Sequence, residues 1–134
     1  MTDFKFLATN IAQDHYVYER FLVTGSRPRA AKCVELVRIS SRMQSRQPRW
    51  RNYIVYLTAK HNLLIERQDC TECQGEINRY FVYTFTTVSE LKKWFDGDDT
   101  DPSYEDGIKR IGVAEQMLCE ELEKLGINLD EEIE

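Results

Sequence analysis

The sequence predicts an α+β fold, in which an antiparallel meander of about five or six strands precedes a short and a longer C-terminal helix packed on one face. Three observations support this prediction. Aromatic and β-branched residues dominate the runs before residue 87, and the links between the later runs are short. After residue 87 the apolar residues recur at helical spacing instead of alternating.

The N-terminal strands are predicted from three runs. Residues 4–8 and 15–24 are strand-like in composition, and residues 25–28 supply a turn with Gly and Pro. The run 32–40 fits either period, but its Val and Ile content favours a strand. Residues 40–51 are polar and rich in Arg, so we expect a mobile loop there.

The clearest hairpin signal lies over residues 52–68. Two apolar runs flank a turn at residues 60–62, where Asn62 is expected to take a positive φ. A second link over residues 69–76 leads to another strand-like run at 77–86. Three consecutive strands joined in this way form an antiparallel meander.

Both faces of the predicted strands carry apolar side chains. Tyr53, Val55 and Leu57 alternate with Ile54 and Tyr56, whereas a sheet with one solvated face should alternate apolar and polar residues. Two explanations are open. Either the helices and the N-terminal strands cover both faces, or a second copy of the chain covers one and the protein is a homodimer.

The helices are predicted from their end signals. Residues 87–90 have the form of a capping box, and Gly97 ends the short helix. The longer helix is expected to begin at Asp101-Pro102 and to end at Gly126. Its apolar stripe, which Glu115 interrupts, consists of Tyr104, Ile108, Ile111, Leu118, Leu122 and Leu125.

Length and composition fit one domain. The 134 residues are 42% hydrophobic, which is enough to bury a core without metal or disulfide staples. We expect a single domain over residues 1–126 and a frayed acidic tail over residues 127–134. The sequence lacks a run of about 18 apolar residues, and its first residues do not resemble a signal peptide, so we expect a cytoplasmic protein without a membrane segment.

Charge is segregated along the chain, which carries a net charge of −5. Residues 20–51 contain nine bases and one acid, whereas residues 96–134 contain three bases and fourteen acids. Almost all the bases of the first segment are Arg, whose planar donors suit phosphate or carboxylate. These arginines either face an external polyanion or acidic partner, or pair with the C-terminal acids of the same fold.

The candidate partner-binding residues come from this basic segment. Arginines beside an aromatic platform can bind a single nucleic-acid strand, with a strong dependence on salt. The acidic isoelectric point, near 5.2, opposes such binding through long-range repulsion. The candidate set is Arg27, Arg29, Arg38, Arg42, Arg46, Arg49, Trp50 and Arg51.

Cys70 and Cys73 form the one cysteine pair with the spacing of metal ligands. A structural zinc site needs four ligands, and the sequence has no second such pair. Neighbouring acids would raise the pKa values of both thiols and so oppose a redox role. We therefore expect reduced thiols and no cofactor.

The sequence contains no nucleotide-binding or catalytic motif of a common type, and it does not support catalysis. We expect a non-enzymatic regulatory or interaction protein that binds a macromolecular partner, either protein or nucleic acid. One alternative is nucleic-acid binding through the arginines of residues 38–51 with Trp50. Another is a ligand-binding or enzymatic sheet whose pocket is lined by Tyr53, Tyr56, Tyr80 and Tyr83.

Overall fold

The computed structural model describes residues 3–43, 46–97 and 112–130. It contains a five-stranded antiparallel sheet in which each strand pairs with the next along the chain, followed by two described α-helices, so the predicted α+β meander is confirmed. The strands are β1 (Val17–Phe21), β2 (Arg29–Ser40), β3 (Arg49–Thr58), β4 (Leu63–Thr71) and β5 (Arg79–Phe85). The helices are α1 (Val88–Phe95) and α2 (Val113–Lys124).

Residues 4–8, predicted as a strand, instead form a short 3₁₀ helix over Lys5–Ala8. The Lys5 amide donates a hydrogen bond of 3.0 Å to Asp3 Oδ1 and so favours a turn at this point. Phe4 is completely buried in the core beneath the helices. Phe4, Leu7 and Ala8 therefore contribute to the core without joining the sheet.

The loop predicted over residues 40–51 is shorter than expected. Ser41–Met43 forms a 3₁₀ turn, and Arg49, Trp50 and Arg51 are the first residues of β3, paired with the end of β4. The prediction of a mobile loop is therefore wrong for these three residues. They lie on a paired strand, and Arg51 also pairs with the carboxylates of Asp69 and Glu115.

One face of the sheet, here called the helix face, packs against both helices. Trp94 of α1 lies edge-on to Tyr53, with ring centres 5.9 Å apart. Leu118 and Leu122 of α2 are fully buried in the same core. The strands contribute a continuous apolar layer to it, made of Tyr53, Val55, Leu57, Leu63, Ile65 and Phe85.

The start of α1 and the end of α2 follow the predicted signals. Thr87 Oγ1 accepts a hydrogen bond from the Glu90 amide at the start of α1. Gly126 ends α2 with a φ of 94°, a conformation that favours glycine. The predicted start of this helix at Asp101-Pro102 is wrong, because α2 begins at Val113 after an extended Gly112. Asp101, Pro102 and the stripe residues Tyr104, Ile108 and Ile111 lie outside the described residues.

The chain stays packed beyond Gly126. Ile127 is buried in the helix-side core, and Lys92 Nζ donates a hydrogen bond of 3.1 Å to the Asp130 carbonyl. The expectation of a frayed tail is therefore wrong for residues 127–130. None of the helices in the described ranges has the length and apolar character needed to cross a membrane.

The turn between β3 and β4 places its positive φ one residue earlier than predicted. His61, not Asn62, has a φ of 66°. The Asn62 amide donates to Thr58 Oγ1 at 3.0 Å, which fixes Asn62 inside the turn. The short hairpin link is confirmed, and its hydrogen bonds determine which residue carries the left-handed conformation.

The opposite face, here called the hairpin face, is covered by the β1–β2 hairpin. Phe21 contacts Tyr56 edge-on, with ring centres 5.1 Å apart. In the strand register Phe21 lies opposite Arg29, and Tyr56 lies opposite Glu35. Arg29 and Glu35 would be about 20 Å apart along an extended strand. The contact therefore requires β2 to bend, and a bulge interrupts its pairing between Glu35 and Val37.

A second contact shows how far the hairpin reaches. The Thr24 amide donates to the Tyr80 carbonyl at 2.9 Å, and the Tyr80 amide donates to Thr24 Oγ1 at 2.7 Å. The segment after β1 thus lies beside β5, the strand at the other edge of the sheet. The chain itself covers both apolar faces of its strands, so these faces no longer argue for a homodimer.

Replacing Phe21 with Ala should remove the main contact that holds the hairpin over the sheet. We expect a loss of about 3–5 kcal/mol in the free energy of unfolding, because Phe21 is 2% exposed and its removal leaves a cavity. Val17→Ala on the same strand is the control, since Val17 is 51% exposed and its change should stay within about 0.5 kcal/mol. Urea denaturation measures both, and equal losses would contradict the folded-over hairpin.

Candidate functional site

Polar side chains cluster on both faces of the sheet at the end where β3 begins and β4 ends. The cluster on the helix face, here called the charged network, contains Arg51, Tyr53, Arg67, Asp69 and Glu115. The cluster on the hairpin face, here called the amide row, consists of Ser40, Asn52, Gln68 and Tyr80. The two have different chemistry and are described in turn.

Asp69 is the centre of the charged network. Arg67 holds it through two hydrogen bonds, from Nε to Oδ1 at 2.8 Å and from Nη2 to Oδ2 at 2.7 Å. Arg51 Nε donates a third, also 2.8 Å long, to Asp69 Oδ1. Burial alone would raise the pKa of Asp69, but the bonds and charges of the two arginines outweigh it and hold that pKa below its usual range.

Glu115 joins α2 to the sheet. Its Oε2 accepts hydrogen bonds from Tyr53 Oη at 2.6 Å and from Arg51 Nη1 at 3.0 Å. Its Oε1 accepts from the Gly112 amide at 3.0 Å, which satisfies a backbone donor at the start of the helix. Burial and the negative charge of Glu115 raise the pKa of Tyr53 well above its ordinary value, so the phenol stays protonated and donates.

A groove of about 850 Å³ lies against this network and is lined on one side by the β4–β5 link. Among the described residues its lining contains as many acids as arginines, so their formal charges cancel. These lining residues therefore offer no net attraction to a polyanion. Its charged lining residues are Arg49, Arg51, Arg79, Asp69, Glu76 and Glu115.

The amide row runs across four strands of the hairpin face. Register places Ser40 opposite Asn52, Asn52 opposite Gln68, and Gln68 opposite Tyr80. Side chains at these positions share one face, because residues directly opposite each other in a ladder point the same way. The row is the polar border of an apolar patch that includes Ile54.

The side-chain oxygen of Asn52 has no hydrogen-bond partner among the described residues. Its Nδ2 donates to Gln68 Oε1 at 3.1 Å and lies 3.5 Å from Cys70 Sγ. Asn52 Oδ1 is buried and accepts no hydrogen bond from the described residues. A buried acceptor in this state costs about 1–3 kcal/mol.

A cavity of about 340 Å³ opens beside the row. Trp50 forms part of its wall, and the Arg42 guanidinium lies 4.0 Å from the centre of the Trp50 ring. An indole with a cation stacked on it, next to two carboxamides, combines an aromatic platform with directional donors and acceptors. The cavity is lined by Arg38, Ile39, Ser40, Trp50, Asn52, Ile54 and Gln68.

Four of the candidate arginines pair with carboxylates of the same chain. Arg38 bonds Glu35, Arg42 bonds Glu72, Arg49 bonds Glu76, and Arg51 bonds both Asp69 and Glu115. In these pairs only Glu115 comes from the acidic C-terminal region. The other partners come from β2, β4 and the β4–β5 link. These arginines therefore pair mainly with carboxylates of the sheet and its link, and not with those of the C-terminal region.

The remaining candidates lie on the surface. Arg27, Arg29 and Arg46 are exposed and form no ion pair with the described residues. Trp50 is half-buried at the cavity. The structure thus brings Arg38, Arg42 and Trp50 together on or beside the hairpin face, and it takes Arg49 and Arg51 away to the helix-face groove.

The cysteines do not converge on a metal site in the part of the chain that the structure describes. Cys70 is buried beside Asn52, whereas Cys73 lies in the following link. Burial raises the pKa of the Cys70 thiol, and the charge of Asp69, the kind of effect expected from the sequence, contributes less. Burial also raises the pKa of Cys33 to about 11, which makes that thiol a poor nucleophile.

The four tyrosines proposed to line one pocket lie on two faces. Tyr53 and Tyr83 pack against Trp94 on the helix face. Tyr56 lies on the hairpin face, and Tyr80 belongs to the amide row. The hypothesis of a single tyrosine-lined pocket is therefore wrong, because strand alternation separates adjacent positions.

Comparisons of the chain with protein-family models, with curated proteins and with solved structures find no match. The case for a function therefore depends on the geometry described above.

Glu115→Ala should destabilise the fold strongly. It leaves Arg51 Nη1, Tyr53 Oη and the Gly112 amide without their acceptor, and removing one partner of such a pair costs about 3–5 kcal/mol. Glu120→Ala is the matched control, because Glu120 is an exposed carboxylate of the same helix. If urea denaturation gives similar free energies of unfolding for the two variants, Glu115 does not fix α2 to the sheet.

Asp69 should make stability fall at acid pH. Its pKa is lower in the folded state, so its contribution is complete above the unfolded pKa of about 3.9 and is lost as the pH falls through the folded value. The difference in unfolding free energy between wild type and Asp69→Asn should therefore shrink as the pH is lowered from about 6 to 2. A difference that stays constant over this range would contradict the assigned pairing of Asp69 with the two arginines.

Proposed function

We propose that this chain is a non-enzymatic binding protein whose partner is a single-stranded nucleic acid, held at the end of the hairpin face around Trp50. The observation that supports this proposal is the stack of Arg42 on Trp50 beside a cavity lined by carboxamides. Aromatic platforms with neighbouring arginines are the usual chemistry of single-strand binding.

Trp50 supplies the platform. One side of its ring carries the Arg42 guanidinium, and the indole also forms part of the wall of the 340 Å³ cavity. A base that enters this cavity would stack on the indole, an interaction that contributes about 1–3 kcal/mol per base. Because Trp50 is paired with Cys70 in the ladder, the backbone that carries the platform is held in place before binding.

Arg38, Arg42 and Arg46 would contact the phosphates of the strand. Arg38 and Arg42 pair with exposed glutamates, and such surface pairs contribute only about 0–1 kcal/mol. A phosphate can therefore replace Glu35 or Glu72 at low cost. Arg46 is exposed just before β3 and forms no ion pair among the described residues.

Acids on the hairpin face limit where the strand can run. Glu35 lies opposite Tyr56 in the register, and Glu66, which is 9% exposed, accepts a hydrogen bond from the same tyrosine. Together with the net charge of −5 they repel phosphates from the centre of the sheet. We therefore expect a short contact at the Trp50 end, and binding that is weak at high salt.

A protein partner is the second candidate. Exposed arginines also bind carboxylates, so an acidic peptide would use the same side chains. The cavity favours nucleic acid, because its indole and carboxamides match a flat base with donors and acceptors on its edge, and an acidic side chain has no such edge.

The test is the binding of a fluorescent oligothymidylate of about 12 nucleotides, followed by anisotropy at about 50 and 200 mM salt. We expect binding at the lower salt that Trp50→Ala weakens by about tenfold or more. Tyr18→Ala is the control, since Tyr18 is a highly exposed aromatic residue of β1 and should not affect binding.

Arg46→Gln should reduce the slope of log affinity against log salt by about 0.7, the contribution of one phosphate contact on a single strand. The proposal is overturned if the oligonucleotide does not bind at low salt, or if Trp50→Ala and Tyr18→Ala have equal effects. Competition by polyglutamate but not by unlabelled oligothymidylate would support the protein partner instead.

A further inference from the structure

We infer that the amide row is a base-reading site, in which Asn52 and Gln68 hydrogen-bond the edge of one unpaired base of the bound strand. The inference rests on the proposed function and goes beyond it, because stacking and phosphate contacts alone would bind every sequence equally. It adds hydrogen bonds to the edge of the base to the stacking on Trp50 and the phosphate contacts of the arginines.

Both contacts of the Asn52 amide are made by its nitrogen, since Nδ2 donates to Gln68 Oε1 and lies within reach of Cys70 Sγ. Oδ1 is the atom without a partner among the described residues, and it is buried. A buried oxygen of this kind selects a ligand that brings an N–H group and disfavours one that brings only apolar atoms.

Gln68 provides the complementary donor. Its Oε1 is occupied by Asn52, and its Nε2 makes no hydrogen bond to a described residue. Asn52 and Gln68 are directly opposite in the β3–β4 register and both line the cavity. The pair thus presents one acceptor and one donor, which is the pattern that carboxamides use to read base edges.

The walls of the cavity fit the rest of a base. Its volume of about 340 Å³ is at the small end of ligand pockets and suits one flat ring system. Trp50 offers a surface for stacking, Ile54 lines the apolar side, and the Ser40 hydroxyl is a further donor or acceptor in the same row. The ligand class is therefore a nucleobase that carries an N–H donor next to a ring or carbonyl acceptor.

The experiment compares two strands that differ only in hydrogen bonding. In an otherwise abasic oligonucleotide, one central nucleotide is either thymine or difluorotoluene, an apolar ring of the same shape that stacks but forms only weak hydrogen bonds. Wild type should bind the thymine strand about tenfold more tightly, because the apolar ring leaves Asn52 Oδ1 and Gln68 Nε2 unpaired. Equal affinities of wild type for the two strands would overturn the base-reading site.

Gln68→Glu is the variant that isolates the reading step. It keeps an Oε acceptor for Asn52 Nδ2 but replaces the Nε2 donor, so the preference for thymine over difluorotoluene should fall to about twofold or less. The added charge weakens both strands alike, and the ratio of the two affinities cancels that effect. A ratio that stays at the wild-type value in Gln68→Glu and in Asn52→Leu would also overturn the inference.

The two proposals fail in different ways. If both strands bind with equal affinity and Trp50→Ala weakens them, the strand-binding function stands and the base-reading site is wrong. If neither strand binds and oligothymidylate does not bind either, the function itself is wrong. Circular dichroism of each variant checks that a loss of binding does not come from unfolding.

Discussion

The hydrogen-bonded ion pairs of Arg51 determine the arrangement of this end of the molecule. Arg51 needs carboxylates on the helix face, and Asp69 and Glu115 supply them from β4 and α2. Residues next to each other on a strand point to opposite faces, so this anchoring directs Trp50 and Asn52 to the hairpin face. The charged network thus fixes α2 to the sheet on one side and sets the position of the cavity on the other.

The two faces satisfy their polar groups in different ways. On the helix face Asp69 and Glu115 together accept six hydrogen bonds, all of them from groups of this chain. On the hairpin face Asn52 keeps a buried oxygen without a partner in the described residues. This asymmetry supports the proposal that the smaller cavity, and not the larger helix-face groove, binds the ligand.

Much of the fold was predictable because it follows from local patterns. The β-branched and aromatic run that became β3, the Thr87 N-cap and the glycine after α2 each act within a few residues, and each prediction holds in the structure. The bend of β2 was not predictable, since it depends on Phe21 reaching Tyr56 across the sheet. The 3₁₀ turn at Lys5–Ala8 was not predicted, because the apolar residues that resemble a strand there fill the core instead of pairing in the sheet.

The site was predictable only in part. The basic segment and Trp50 could be found by charge and aromatic content, but the separation of Arg51 from Arg42 depends on partners distant in sequence. Glu115 is visible in the sequence as an acid inside an apolar stripe. Its role could not be predicted, because it depends on Tyr53 lying opposite it and donating a hydrogen bond. Asn52 and Gln68 were missed because single amides in strands resemble solvated positions until register places them side by side.

The most direct measurement of this account is a nuclear magnetic resonance titration of ¹⁵N-labelled protein with oligothymidylate. The account predicts shifts of the Trp50 indole N–H and of the side-chain amides of Asn52 and Gln68, while the backbone amides of α2 stay unchanged. Shifts concentrated on α2 or on the β4–β5 link, with the Trp50, Asn52 and Gln68 side-chain signals unmoved, would contradict it.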